Sequence, residues 1–226
     1  MPDIDLSAQA TTLCTNVLIR REGMAGDAKE NVKRIRRYDP ARKEKILDKA
    51  FETIAGFGVA GVTHRRIAAL AGVPLGSMTY HFKSMDELLF LVFSRFAQGS
   101  ADFIKTRMEK AQTPEDAIEI FASIMTDREW VNGQNMAVLY EFYSLATRDP
   151  ACRGILTDWS NSTRQCLERF FSPAAARAFD VCIEGVLLQN FLNPDGGLPH
   201  DEIIALLRRI ALTDIPTNAQ NSQKHS

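Results

Sequence analysis

No apolar run in this chain approaches the ~20 residues a membrane-spanning helix needs, which argues against a helical membrane protein. The opening stretch MPDIDLSAQA lacks a basic start followed by an apolar segment, so no secretory signal is expected. Cysteine is sparse. Cys14, Cys152, Cys166 and Cys182 stand far apart without paired spacing, which suits a reducing cytosol better than a disulfide scaffold or a zinc site. His64, His81, His200 and His225 share no metal-ligand spacing with one another or with the cysteines. A Gly-rich phosphate loop, a nucleophile elbow and a metalloprotease motif are all missing. Neither metal, cofactor nor catalytic residue is therefore expected, and the chain does not read as an enzyme. Strand-like alternation and internal repeats are missing as well.

What remains is ordinary in bulk and uneven in detail. The 226 residues are 45% hydrophobic and 24% charged, a normal balance for a soluble globular chain that can bury a core unaided. The formal charge of −1 conceals a gradient: residues 29–83 hold 12 Lys/Arg against 5 Asp/Glu, residues 84–226 hold 13 against 19. A basic block ahead of an acidic body is the footprint of a nucleic-acid-binding module joined to something else. On charge alone, a solvated charged face fits equally well.

The chain reads as helices throughout. Four starts share one form, a capping residue followed by proline: Asp39-Pro40, Thr113-Pro114, Asp149-Pro150 and Ser172-Pro173. The side-chain oxygen accepts an otherwise unpaired N–H, and proline at the first helical position loses no hydrogen bond. Ser84-Met85-Asp86-Glu87 is a further capping box. Helical spacing of Ile46, Leu47, Ala50, Phe51 and Ile54 predicts a helix from about residue 40 to 57. Short helices are expected near 64–71 and 75–80, and a long one from 85 to about 110. Later helices are expected around 115–130, 134–147, 151–171, 174–192 and 201–212.

The informative stretch is Thr63-His-Arg-Arg-Ile-Ala-Ala-Leu-Ala-Gly-Val-Pro-Leu-Gly-Ser-Met-Thr-Tyr-His-Phe82. Thr63 can cap a short helix, Ala68 allows close helix crossing, and Gly72 permits the left-handed residue that ends the helix. Pro74 suits the start of a second helix. Two short helices around a glycine turn make a helix-turn-helix, whose second helix enters the major groove. Together with Ile67-Ala68, Ala71-Gly72-Val73, Gly76, His81-Phe82 and Leu88-Leu89, residues 42–89 resemble the TetR family of bacterial transcription regulators. The resemblance implies an all-α homodimer. Each copy would carry an N-terminal three-helix helix-turn-helix DNA-binding domain and a C-terminal helical ligand-binding and dimerisation domain. Boundaries then fall at a flexible basic extension (1–38), the DNA-binding domain (39–84), the effector-binding and dimerisation domain (85–214) and a disordered tail (215–226).

By position in that motif Leu75, Gly76, Ser77 and Thr79 face the groove. The two hydroxyls can bond several bases and Leu75 can touch a thymine methyl. Thr63, Arg65 and Arg66 lie where they could hold phosphates, contacts that set register rather than sequence. Thr79 stands where the family usually has tyrosine, and Met85 where a lysine commonly meets phosphate, which leaves Tyr80, His81 and Lys83 as substitutes. His81 also fits a structural role. The run Lys33-Arg34-Ile35-Arg36-Arg37 either follows the DNA backbone or a minor groove, adding salt-sensitive affinity, or is a solvated charged tail.

In the acidic half the resemblance implies an apolar pocket for a small-molecule effector. Trp130, Met136, Tyr140, Tyr143 and Trp159 are the candidate lining, aromatics with polar handles that could orient a mostly apolar ligand. Each also fits as plain core. Glu141 is either a polar anchor there or a solvent-facing glutamate. Ile183, Val186, Leu187, Leu188 and Phe191, then Ile203, Ile204, Leu206, Leu207 and Ile210, form two apolar stripes. Two such helices from each copy can build a four-helix dimer core, although the stripes could equally pack within one chain. The expected partners are thus operator DNA, a second copy and an effector, with no membrane and a cytoplasmic location. Ligand entry would shift the long helix from Met85 to about Lys110 and release the DNA. The competing readings are a helical small-molecule enzyme and a dimeric adaptor that has lost DNA binding.

Overall fold

A computed structural model describes residues 40–212; the basic run at 33–37, Cys14, His225 and the two terminal segments lie outside the described residues. Among these residues there are nine α-helices and no strand. They are α1 (Pro40–Phe57), α2 (His64–Ala71), α3 (Leu75–His81), α4 (Met85–Met108), α5 (Pro114–Met125), α6 (Gly133–Ala146), α7 (Pro150–Leu167), α8 (Pro173–Leu192) and α9 (His200–Leu212), with a 3-10 turn at Val59–Gly61. The all-α expectation holds.

The described caps act as their sequence implies. Thr113 accepts the Asp116 N–H at 3.1 Å while Asp116 Oδ2 accepts the Thr113 N–H at 2.9 Å, a reciprocal box at the start of α5. Asp149 accepts the Ala151 N–H at 2.8 Å, and Ser172 accepts that of Ala175 at 3.2 Å. At α4 the Ser84 hydroxyl accepts the Glu87 N–H at 3.1 Å, and Glu87 reaches one residue further back than a standard box, to the Lys83 N–H at 2.5 Å.

Two helices stop earlier than expected. α5 ends at Met125 rather than near 130 because the Asp127 carboxylate takes the N–H groups of Glu129 and Trp130 at 2.8 and 3.2 Å and bends the chain. Burial pushes the Asp127 carboxyl up in pKa, but those N–H groups and Arg107 outweigh it and leave it lowered. α7 ends at Leu167 rather than 171, and Phe171 instead stacks on Phe179 of α8 at 4.7 Å.

Burial divides into two apolar cores. The first joins Ile46, Ala50 and Ile54 of α1 to Ile67, Ala68, Met78 and Phe82, and to Leu88, Val92 and Phe93 of α4. It continues past residue 84 into Val138, Phe142 and Ala146 of α6 and Cys152 of α7. The second contains Ile104 and Met108 of α4, Phe121 of α5, Leu139 of α6, Phe179 and Ile183 of α8, and Leu207 of α9. α4 and α6 therefore belong to both. Phe93 and Phe142 stack face to face with centroids 4.5 Å apart. A fully buried phenylalanine contributes about 1.5–3 kcal/mol. The exposed Arg95 bridge from α4 to Glu44 of α1 (2.9 Å) is worth at most about 1 kcal/mol, so packing holds these helices together.

Candidate functional site

The helix-turn-helix is built by local chemistry. Thr63 caps α2 through the Arg66 N–H (3.2 Å). Gly72, at φ 63°, donates to Ala69 O (3.1 Å) while Val73 donates to Ala68 O (3.0 Å). This paired closure is a Schellman turn, and its left-handed residue is why glycine stands there. The chain then enters α3 from Pro74, in extended geometry.

α3 presents a sharp division. Leu75, Gly76, Thr79 and Tyr80 occupy an exposed arc, with Leu75 and Tyr80 about half exposed. Ser77 and Met78 occupy the opposite, buried arc, with His81 half-buried beside them. This corrects the expectation that Ser77 faces outward: at 100° per residue it lies with Met78 and His81, against the first core. The Thr79 hydroxyl bonds the Gly76 carbonyl at 3.3 Å, and the Tyr80 ring meets His81 edge-on at 5.0 Å. Thr63, Arg65 and Lys83 are exposed around this face. Arg66 is exposed but engaged, donating to Gly61 O at 2.6 Å and lying 4.7 Å over the Phe57 ring. Four of its five N–H donors at most can then be spared for another partner.

A second feature lies in the other half: a cavity of about 320 Å³. Its walls are Ile104 of α4, Ile124 of α5, Leu139 and Tyr143 of α6, Thr157, Trp159, Ser160, Thr163 and Arg164 of α7, and Asp180, Ile183, Glu184 and Leu187 of α8, with Trp130 from the turn between α5 and α6. Three of the five expected residues, Trp130, Tyr143 and Trp159, are there. Met136 and Tyr140 are not. Met136 is fully buried in the second core, and Tyr140 leans on Phe191, with ring centroids 5.8 Å apart. Glu141 neither lines the cavity nor faces solvent freely; its Oε2 accepts the Val59 N–H.

Each tryptophan is set by its neighbours. Trp130 follows the Asp127 turn, which Arg107 holds at 2.5 Å, and it stacks near Phe103, whose other contact is the Arg107 guanidinium at 4.2 Å. Trp159 meets Phe96 edge-to-face at 5.8 Å. The polar side of the cavity joins α6, α7 and α8. Arg164 donates to Asp180 Oδ2 at 2.9 Å and to Ser160 Oγ at 2.8 Å, and Ser160 donates to Asp180. Tyr143 donates its hydroxyl proton to Glu184. Glu184 reaches solvent through the cavity mouth, yet the surrounding protein desolvates it enough to raise its pKa, with Asp180 adding to the rise and Tyr143 opposing it. Burial likewise raises Tyr143, and pushes Tyr140, whose hydroxyl is buried without a partner among the described residues, up to about 12.

The sequence reading missed Arg164, Asp180 and Glu184. One signal was available: Asp180 and Glu184 are the only acids in the twenty residues of α8, four apart, inside a helix that is otherwise apolar around most of its circumference.

The expected dimer residues divide too. Ile183, Val186, Leu187, Ile203 and Leu207 are buried within their own chain. The periodicity that marked them reports intrachain packing, so they have little surface left for a partner. Phe191, Leu206 and Ile210 are half-buried, while Val181, Leu188 and Leu192 form an exposed stripe on α8.

No group of three or more His, Cys, Asp or Glu side chains among the described residues is arranged to hold a metal. No described helix is long and apolar enough to cross a membrane. Burial raises the thiol pKa of Cys152, Cys166 and Cys182, which keeps them protonated.

Comparison with known proteins bears on both halves. Residues 46–92 match the model for bacterial regulatory proteins of the tetR family, and residues 112–212 match a tetracyclin repressor-like C-terminal domain. A transcriptional regulator of Streptomyces coelicolor A3(2) is 35% identical, over 76% of this chain and 99% of its own, with a TM-score of 0.70. The chain belongs to the TetR family. It is a DNA-binding transcriptional regulator by that membership. The multidrug binding protein EbrR, in its complex with ethidium, is 31% identical over 76% of this chain and 99% of that one, with a TM-score of 0.64. The HTH-type transcriptional regulator BetI 1 of Chromohalobacter salexigens is 27% identical over 166 residues, 70% of this chain and 82% of the relative. TetR-family regulators bind operator DNA, act as dimers and bind small molecules.

Proposed function

We propose that this TetR-family chain is a cytoplasmic repressor that occupies its operator as a dimer and leaves it when a small molecule fills the cavity between α4 and α8. The observation that carries this reading is the sharing of α4 and α6 between the two cores. α4 gives Leu88, Val92 and Phe93 to the DNA-reading half and Ile104 to the cavity wall. α6 gives Phe142 to the first and Tyr143 to the second. A ligand that repositions either wall alters the support of α3. Coupling of about 1–3 kcal/mol lowers operator affinity roughly 5- to 150-fold.

Leu75, Thr79 and Tyr80 are proposed to meet base edges and adjoining sugar–phosphate, Gly76 to permit close approach, and Thr63, Arg65, Arg66, His81 and Lys83 to meet phosphates. The dimer is proposed to form across α8 and α9 and to set two α3 helices about 34–36 Å apart, one turn of duplex. EbrR has been crystallised in complex with ethidium, which supports a small aromatic ligand for this chain.

The test is a mobility shift with the DNA upstream of the chain's own gene and of its neighbours. A sequence-specific shift that weakens with salt and is reversed by a cavity ligand supports the reading. Binding no stronger than to random duplex refutes it.

A further inference from the structure

The charged groups of the cavity do not balance. Arg164 is committed to Asp180, directly at 2.9 Å and through Ser160, so that pair is neutral and satisfied. Among the described residues Glu184 has a single hydrogen-bond partner, the uncharged Tyr143 hydroxyl. One negative charge is therefore left at a cavity whose lining includes Trp130 and Trp159 among aliphatic side chains. Glu184 is exposed at the cavity mouth, where water solvates it, and an apolar neutral ligand that displaced this water would leave the carboxylate with no counter-charge beside it. An anionic ligand would meet Glu184 and find the one guanidinium already taken. A cation relieves the imbalance, and tryptophan is the strongest aromatic partner for one.

We propose that the cavity binds a lipophilic organic cation, its positive centre set against the Glu184 carboxylate and its apolar body against Trp130 and Trp159. This rests on the reading of the cavity as the effector site and names its ligand class. About 320 Å³ suits one such molecule and not a peptide. Glu184 is the specificity determinant, and Asp180 with Arg164 is the frame that keeps α7 and α8 in place beside it.

The experiment is a fluorescence titration of the purified, DNA-free protein with three flat aromatic probes: ethidium (a permanent cation), phenanthridine (its uncharged ring system) and 8-anilinonaphthalene-1-sulfonate (an anion). Ethidium is expected to saturate at one per protomer and bind at least about tenfold more tightly than the other two. Glu184→Gln, which keeps an oxygen for the Tyr143 proton, is expected to weaken ethidium about tenfold and leave phenanthridine unchanged. Equal binding of the neutral or anionic probe, or of ethidium to wild type and variant, overturns the proposal. A series that needs no variant reports the same thing: benzyltrimethylammonium should displace ethidium from wild type, and uncharged neopentylbenzene should not.

Operator release is measured separately with benzyltrimethylammonium, because ethidium itself intercalates. Release by neutral compounds alone sinks the cation and leaves the regulator. Glu184-dependent cation binding without any operator shift sinks the reading of the cavity as the effector site and leaves the cation.

Discussion

Glu141 Oε2 accepts the backbone N–H of Val59 at 3.0 Å, so the helix that carries Tyr143 into the cavity also holds the turn following α1. Gly58 makes room for this contact. It sits at φ 67°, and a Cβ there would lie 2.7 Å from Glu141 Oε1. One residue further along α6, Phe142 stacks on Phe93 of α4. Three consecutive side chains of α6 thus touch the turn after α1, the upper part of α4 and the cavity, which gives the two halves a short physical link besides α4 itself.

Glu141→Ala tests that link. The Val59 N–H loses its acceptor while half-buried, which costs about 1 kcal/mol, at the low end for an unsatisfied group because water can reach it. The variant is expected to unfold at lower urea concentration, bind its ligand normally, and show a smaller ratio of operator affinities without and with ligand. Urea melts and paired operator titrations check this. A ratio equal to that of wild type removes Glu141 from the coupling route.

The two arcs of α3 make a sharper statement about DNA reading than the sequence motif does. Ser77→Ala is expected to leave operator sequence preference unchanged, because Ser77 lies on the buried arc. Thr79→Ala should cost on the order of 1 kcal/mol at one base position. Arg65→Ala should weaken all duplexes alike and reduce the slope of log affinity against log salt by about 1. Binding isotherms at several salt concentrations on operator and single-base variants check all three. A preference altered by Ser77→Ala but not by Thr79→Ala reverses the assignment.

Much of the fold was legible because its signals are local. Thr113, Asp149 and Ser172 each cap within three residues, Gly72 ends α2 by its own φ, and apolar spacing alone traces α1. The site was less legible because it is assembled across elements. Trp130 lines the cavity through the Asp127–Arg107 pair, and Glu184 becomes significant only when Arg164, twenty positions earlier, has chosen Asp180 instead. Periodicity also cannot say which side of an apolar helix faces its own chain. It marked Ile183 and Leu187, which are interior, and passed over Val181 and Leu192, which are exposed.

Glu184 makes stability depend on pH in a direction that can be worked out. Desolvation, with the Asp180 charge, raises its pKa above the ordinary 4.5, against the opposing Tyr143 hydrogen bond. A carboxyl that holds its proton more firmly when folded contributes stability that is complete below the unfolded value and lost as pH rises through the folded one. Tyr140 and Tyr143 from α6, Arg164 from α7 and Asp180 from α8 face it, and all four stay in place in Glu184→Gln. The ligand-free variant is therefore expected to melt above wild type at pH 7–8, with the gap closing toward pH 4. Benzyltrimethylammonium should raise the wild-type midpoint more than that of the variant. Thermal melts across that range, with and without the cation, give both readings. A gap that widens on acidification contradicts the assigned direction.

Val181, Leu188 and Leu192 are 67%, 40% and 70% exposed and recur at intervals of seven and four, so they share one face of α8. A contiguous apolar stripe of this kind marks an interaction surface, and a two-fold interface would set it against its own copy. Leu188→Glu would bring two carboxylates together there, at a side chain that already reaches solvent in the protomer. The variant is expected to sediment as a monomer and to unfold within about 0.5 kcal/mol of a wild-type protomer. It should also lose most of its operator affinity, because only one half-site can be read at a time. Leu187→Glu, one residue away but buried, is expected to prevent folding through an unpaired interior charge. Sedimentation velocity and circular dichroism separate these outcomes. A Leu188→Glu protein that remains dimeric at micromolar concentration places the interface on another face.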